Sequence, residues 1–208
     1  MDKDEFLYII DQAKSRKSRF LPLVEELHER ACACANSIQE NPYWVSDIIT
    51  GCVLSELSQH YPIRLDIGTF TGFSASCMAL SYDGIVHTFD VHNFDPKVWE
   101  RTDLARFIRS LPSPCIKPHS LDMPPGISED ILAPVGDCRY GLIYIDESHW
   151  DIVVKIHMER CLNNIETDGI ILFHDACLSS VRRCAELYTD VFTPLEGKRV
   201  LAAYSPSW

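Results

Sequence analysis

The sequence predicts an α/β protein with a doubly wound, mostly parallel sheet, and three observations carry that expectation. Short apolar runs alternate with helix-length amphipathic stretches from Pro62 onward, a glycine turn follows the first run, and two final runs flank the polar stretch LEGKR. Strands covered by helices on both faces read as continuous apolar runs, and parallel neighbours need a helical crossover between them. The runs fall at 63–67, 85–89, 115–119, 142–145, 170–173, 191–194 and 200–204, which makes a seven-stranded sheet. The last two are predicted to close it as an antiparallel hairpin with Gly197 in the turn.

The elements follow in order. Residues 3–15 read as a helix, and the basic cluster after it (Lys14, Arg16, Lys17 and Arg19) reads as a solvated patch. A second helix is expected over 22–35, with Val24, Leu27, Ala31 and Cys34 on one face. The stretch NPYWVSD breaks the pattern, and Ser46 or Asp47 is placed to cap a third helix reaching about Gln59, with Ile49, Val53 and Leu57 on its buried side. Tyr43 and Trp44 sit in that break, where core packing and a substrate mouth are the two readings. Residues 1–60 are thus expected to be N-terminal helices of the same domain, a substrate cap or dimer contact, with 61–208 as the core. Within the core, helices are expected over 72–81 and over 96–111. The second has Asp95 as its cap, proline in its first turn and Leu104, Phe107, Ile108 and Leu111 on one face. A short turn at 128–132 and helices over 151–165 and 178–188 complete the set.

Composition narrows the function. A chain of 208 residues with 46% hydrophobic and 24% charged residues can bury a single substantial core. No apolar run approaches the roughly 20 residues that span a bilayer. The first residues, MDKDEFLYII, lack a signal-peptide layout. The nine cysteines are an odd number without framework spacing, many of them inside apolar segments. Reduced, buried thiols and a cytoplasmic location are therefore expected. A net charge of −11 argues against nucleic acid or an anionic membrane as partner and favours a small or neutral substrate.

In doubly wound sheets, ligands bind beyond the carboxyl ends of the strands. The polar residues there are Asp66, Asp90, Ser120 with Asp122, Asp146, and His174 with Asp175. The stretch 65–75, LDIGTFTGFSA, is a strand, a glycine turn and a helix start, a geometry that lets backbone close around a nucleotide-like ligand. Its D-x-G-x-x-x-G spacing at Asp66, Gly68 and Gly72, with Asp90 ending the next strand, resembles the class I S-adenosylmethionine (SAM)-dependent methyltransferases. The resemblance implies a Rossmann-like methyltransferase fold and a SAM site drawn from Asp66, Gly68, Thr69, Gly72, Phe73, Asp90, Val91, Ser120 and Asp146. A nicotinamide-binding protein would want G-x-G-x-x-G, whose middle glycine is missing here.

The elements IDESHW at 145–150 and FHDA at 173–176 resemble the D-x-x-H small-molecule O-methyltransferases, a group that includes metal-dependent sugar methyltransferases. That likeness spans about 45–205 and implies a metal held by Asp146, His174 and Asp175, with His149 and Asp146 as the catalytic residues. The chain departs from that pattern in three places: Asp66 stands for the commoner glutamate, Glu147 replaces a glycine, and only Asp122 offers a third carboxylate.

The chemistry is consistent with the residues. Adjacent parallel strands lie about 4.8 Å apart, so Asp146 and Asp175 can converge on one Mg²⁺ or another divalent cation. A hydroxyl holds its proton too tightly to attack at neutral pH, and His149, three residues past Asp146, is placed to take it. His174 is open to three readings: ligand, orienting group or core histidine. Asp146 has a bland alternative as the cap of the next helix, and His149 as packing against Trp150. Two other classes stay open: a SAM-binding protein without methyl transfer, and a metal-dependent hydrolase using the same acids and histidines. A serine hydrolase is disfavoured because 72–76 reads GFSAS, without the closing glycine of a nucleophile elbow. The N-terminal helices leave homodimerisation open. The acceptor pocket is expected to be shaped by 1–60, by the loop after Asp90 and by the proline-rich segment 121–140.

Overall fold

A computed structural model gives the fold of residues 1–37, 42, 45–68, 70–80, 84–90, 116–120, 138–146, 149–195 and 199–208. The expected helices at 96–111 and 128–132, the aromatic pair Tyr43 and Trp44, and the hairpin turn at Gly197 lie outside these residues.

Among the described residues, three helices precede the sheet. Helix α1 (Lys3–Lys14) starts on Asp2, whose carboxylate accepts the Glu5 N–H at 2.8 Å, and buries Phe6, Ile9, Ile10 and Ala13. Helix α2 (Leu21–Ser37) follows. Helix α3 (Ile48–Leu57) starts on Asp47, which accepts from the Thr50 N–H. The sequence predicts one buried side for α3, yet Thr50, Gly51, Cys52, Leu54 and Ser55 are buried as well as Ile49, Val53 and Leu57. A helix this apolar all round is an interior helix. Gly51 lets its neighbours close in, since a Cβ there would lie 2.7 Å from Phe73 Cζ and from Val24 Cγ1.

Among the described residues the sheet has seven strands, in the order β3-β2-β1-β4-β5-β7-β6. They are β1 (Ile63–Ile67), β2 (Ile85–Asp90), β3 (Ile116–Ser120), β4 (Tyr140–Ile145), β5 (Ile165–Phe173), β6 (Val191–Pro194) and β7 (Val200–Tyr204). Strands β1 to β5 pair in parallel, whereas β7 runs antiparallel to both β5 and β6, as the hairpin reading expects. Helix α4 (Phe73–Ala79) follows β1, α5 (Asp151–Asn164) joins β4 to β5, and α6 (Ser179–Ala185) follows β5. The chain passes from α5 into β5 without a loop, because Ile165 already pairs with Tyr140; the strand is therefore longer than the apolar run 170–173.

Period-two alternation divides the strands between two cores. On one face Leu142, Tyr144, Ile170 and Leu172 pack with α1 to α4. On the other Ile143, Ile145, Ile171 and Phe173 pack with Val154, Met158 and Cys161 of α5 and Val181 and Cys184 of α6. Cys52, Cys77, Cys161 and Cys184 are free and buried. Among the described residues no helix is long and apolar enough to cross a membrane.

Two features lock β1 in place. The Arg64 guanidinium, only 2% exposed, donates to the carbonyls of Tyr61 (2.5 Å), Ser58 (2.7 Å) and Met78 (3.1 Å). Gly84, at φ 92°, brings the start of β2 against Pro62, whose carbonyl accepts the Ile85 N–H at 2.7 Å. A Cβ at Gly84 would lie 1.9 Å from that same carbonyl oxygen. Gly84→Ala is therefore expected to cost at least ~2 kcal/mol, combining a forbidden φ with a clash against backbone that cannot swing away. Urea unfolding of the purified variant checks this.

Candidate active site

The site is built where the strand order reverses, between β1 and β4. Backbone hydrogen bonds carry the sheet one residue past the strands there. Gly68 N–H donates to Phe89 O (2.8 Å), Asp146 N–H to Ile67 O (2.8 Å) and His174 N–H to Ile145 O (3.0 Å). Gly68, Asp146 and His174 thus stand side by side as the first loop residues after β1, β4 and β5.

On the β1 side lies the glycine turn. Gly68 (φ 108°) and Gly72 (φ 83°) both adopt positive φ, conformations that a side chain would strain, so the turn depends on glycine at both ends. Asp66 is fully buried behind the turn, where its Oδ2 accepts from Thr88 Oγ1 at 2.6 Å. The Phe73 side chain points into the core, 2% exposed, with the His28 ring edge-on at 5.3 Å. Asp90 and Ser120 face each other across the ends of β2 and β3. Thr69, Val91, Asp122 and Glu147, and the side chains of Asp90 and Ser120, lie outside the described residues.

The β4–β5 side carries the charges. His174 is buried (side chain 3% exposed), with three carboxylates around its two ring nitrogens. Its Nδ1 lies 3.1 Å from Asp146 Oδ1 and 3.4 Å from Asp175 Oδ1, and its Nε2 is 3.5 Å from Asp47 Oδ2. That last separation is an ion-pair distance, and Nε2 makes no hydrogen bond. Asp146 Oδ2 accepts from Ser46 Oγ (2.7 Å) and Tyr144 OH (3.1 Å). His149 is partly exposed, with Nε2 3.4 Å from Asp175 Oδ2. Asp175 holds a left-handed backbone (φ 50°), tolerable for aspartate, which turns its carboxylate between the two histidines. One donor atom each from Asp146, His149 and Asp175 lies within 4.8 Å of the others, a set that could hold a cation. The sequence reading names His174 in that set; the structure puts His149 there and encloses His174 among the carboxylates.

The electrostatics follow from these contacts. Burial works against the charge on His174, but Asp146 above all, then Asp175 and Asp47, holds its pKa well above 6.5. Burial would raise Asp47, yet the contacts from His174 and Thr50 bring it to about 2. Asp146 and Asp175 are likewise lowered against the pull of burial, Asp146 by His174 and Asp175 by His149 and His174. His149 is raised, first by its bond to Asp175. Burial and the nearby Asp146 push the Tyr144 phenol well above 10, so it stays a donor.

These shifts imply a stability optimum in the metal-free protein. A lowered carboxylate stabilises the fold above its ordinary pKa of 3.8 and loses that contribution as pH falls towards about 2, as for Asp47. A raised imidazole stabilises fully below 6.5 and loses the contribution as pH rises through its folded value, as for His174. Melting temperature in EDTA is therefore expected to plateau between those limits and fall on either side. His174→Gln should flatten the alkaline decline.

Sequence reasoning names Asp146, His149, His174 and Asp175, which the structure brings into one cluster. It misses Tyr144, hidden in an apolar run, and Arg199, whose Nη1 lies 3.5 Å from Asp47 Oδ2. It reads Ser46 and Asp47 only as helix caps; nothing local marks their reach to β4 and β5.

Solved structures share the fold. An O-methyltransferase from Streptomyces achromogenes, TomG, involved in tomaymycin synthesis and solved with SAM, superposes with a TM-score of 0.67 at 16% identity, over 86% of this chain and 89% of that one. An O-methyltransferase from Bacillus cereus in complex with S-adenosylhomocysteine (SAH) gives 0.66 at 16% identity, over 86% and 90%. An SAH-bound methyltransferase from Podospora anserina gives 0.63 at 13% identity, over 86% and 87%. No curated protein matches in sequence. A methyltransferase domain model matches residues 65–176, from the glycine turn through the acids and histidines beyond β4 and β5. That match covers more than half the chain and the strand ends on both sides of the reversal, and the protein belongs to this methyltransferase family.

Proposed function

We propose that the protein transfers a methyl group from SAM to a hydroxyl of a small molecule, with His149 as the base. The observation that carries this reading is the Asp146–His149–Asp175 group standing beside the glycine turn across the strand reversal. The turn suits SAM because two positive-φ glycines leave backbone without side chains at the mouth of the sheet, with buried Asp66 behind. In its structural relatives, TomG and the Bacillus cereus enzyme, the same fold was solved with SAM or SAH.

Asp146 and Asp175, both part-exposed and ionised, offer the hard oxygens that a divalent cation prefers. Such a cation would lower the pKa of a hydroxyl brought to it. The chain's own residues do the rest. Asp175 accepts the Nε2–H of His149, which fixes the tautomer and leaves Nδ1 as the basic nitrogen. That nitrogen takes the hydroxyl proton. The oxygen forms its bond to the sulfonium methyl as the C–S bond breaks, and sulfur keeps the electron pair as the thioether of SAH. Holding the two reactants in line is the protein's main contribution. The N-terminal segment acts as a cap, reaching the site through Ser46 and Asp47.

The closeness of His149 to both carboxylates favours a second reading, in which it is a ligand rather than the base. Spectroscopy of bound Mn²⁺ separates the two, because an imidazole-nitrogen coupling to the metal that disappears in His149→Ala is expected only if His149 is a ligand.

The direct test is conversion of SAM to SAH with a panel of sugars, alcohols and diols, with and without EDTA. Turnover that needs a divalent cation and is lost in Gly68→Val supports the proposal. SAM binding without SAH formation across the panel would favour a SAM-binding role. Turnover indifferent to both EDTA and His149→Ala would overturn the mechanism and leave the family intact.

A further inference from the structure

Residues 46, 47 and 199 lie outside the stretch that matches the methyltransferase model, yet they close the charged side of the site. Asp47 is rigidly placed. Its Oδ1 accepts the Thr50 N–H (2.9 Å) and its Oδ2 the Thr50 hydroxyl (2.9 Å), so one carboxylate both caps α3 and faces His174. Arg199, at the start of the closing strand, donates to Val45 O (3.3 Å) and sits 3.5 Å from Asp47 Oδ2. Adjacent Ser46 donates to Asp146 Oδ2, and its hydroxyl is 3.0 Å from Tyr144 OH.

The contacts form an unbroken chain. Arg199 meets Asp47, Asp47 meets Nε2 of His174, and Nδ1 of His174 meets both Asp146 and Asp175, the second of which holds His149. His174 cannot turn without disturbing its contacts to the three carboxylates, and its side chain is buried, 3% exposed.

We propose that Asp47, backed by Arg199, is a positioning residue. From outside the methyltransferase core it fixes the His174 ring, and through that ring it sets the angle of Asp146 and Asp175. The N-terminal helices therefore complete the site as well as covering it. Groups that orient ligand side chains in this way typically change affinity or activity 10- to 100-fold when removed. The inference rests on reading Asp146, His149 and Asp175 as the reaction centre.

Asp47→Asn is the informative variant, because asparagine caps a helix about as well as aspartate while removing the charge. Three readouts are taken: Mn²⁺ binding by electron paramagnetic resonance, kcat and KM for SAM, and the ring ¹H–¹⁵N signals of His174 in EDTA. Roughly 10- to 100-fold losses in Mn²⁺ affinity and kcat are expected, with KM for SAM unchanged and the His174 signals displaced. Arg199→Met should move the same quantities less, and Arg199→Lys should restore them. Mn²⁺ affinity and kcat within about twofold of the parent would overturn the proposal, given the size expected of an orienting contact. An equal loss of SAM affinity would also overturn it, since that marks a general defect. If the parent protein transfers no methyl group, the functional reading fails while Mn²⁺ binding and the ring signals still decide the brace. If it binds no Mn²⁺ either, unchanged His174 signals in Asp47→Asn overturn the brace and displaced ones support it.

Discussion

Replacing His149 with alanine is expected to slow methyl transfer by roughly 10²- to 10⁴-fold, the range that a positioned general base supplies. That is about 3–5 kcal/mol of transition-state stabilisation. SAM affinity should be unchanged, because the glycine turn after β1 is held by its own backbone bond to β2 and not by the β4–β5 acids. Single-turnover rates with saturating SAM, set beside SAM binding by calorimetry, make the comparison. A rate within about threefold of the parent would remove His149 from the chemistry. The ring itself gives a second check. In the metal-free protein the His149 pKa is raised, chiefly by the bond to Asp175, so NMR titration should place it above 6.5 and Asp175→Asn should bring it down.

Arg64→Met is expected to be the most destabilising single change described, at ~3–5 kcal/mol, because three backbone carbonyls lose their shared donor. The guanidinium serves the carbonyl of Ser58 at the end of α3, that of Met78 in the last turn of α4, and that of Tyr61 before β1. Carbonyls near helix ends lack intrahelical partners, and a positive charge there also meets the negative end of the helix dipole. Methionine fills the volume but leaves buried acceptors unpaired, each at ~1–3 kcal/mol. For a chain of this length the loss corresponds to roughly a 10 °C fall in melting temperature. Lysine should recover little, since one ammonium cannot reproduce the planar fork that spans separate carbonyls. A methionine variant that melts within about 2 °C of the parent would refute the assignment.

Much of this architecture is written locally. Runs such as 142–145 are buried on both faces, so they are apolar at every position, and a parallel sheet follows from those runs alternating with amphipathic helices. Gly68 and Gly72 are legible because only glycine takes their backbone angles at no cost. Asp146, His149, His174 and Asp175 are legible as a group because strand ends in such sheets share one edge. Two local readings shift once the chain is folded. Helix α3, read as one-sided, is enclosed by its neighbours. Ile165, read as the last turn of a helix, is captured by Tyr140 as the first residue of β5.

What the sequence alone determined is thus the sheet, the glycine turn and four residues of the charged cluster, Asp146, His149, His174 and Asp175. The roles within that cluster were decided only by tertiary structure. His174 and His149 are equally polar and both lie within three residues of an aspartate in sequence, yet one is sealed among three carboxylates and the other stands part-exposed beside Asp175. Asp47 is indistinguishable in sequence from an ordinary helix cap, and Arg199 from an ordinary hairpin charge. Their meeting depends on α3 packing against one face of the sheet while β7 pairs with β5. Periodicity records which face of an element is buried, because burial acts on neighbouring residues alike. A charged contact between distant segments leaves no such trace, and only the folded chain brings its partners within reach.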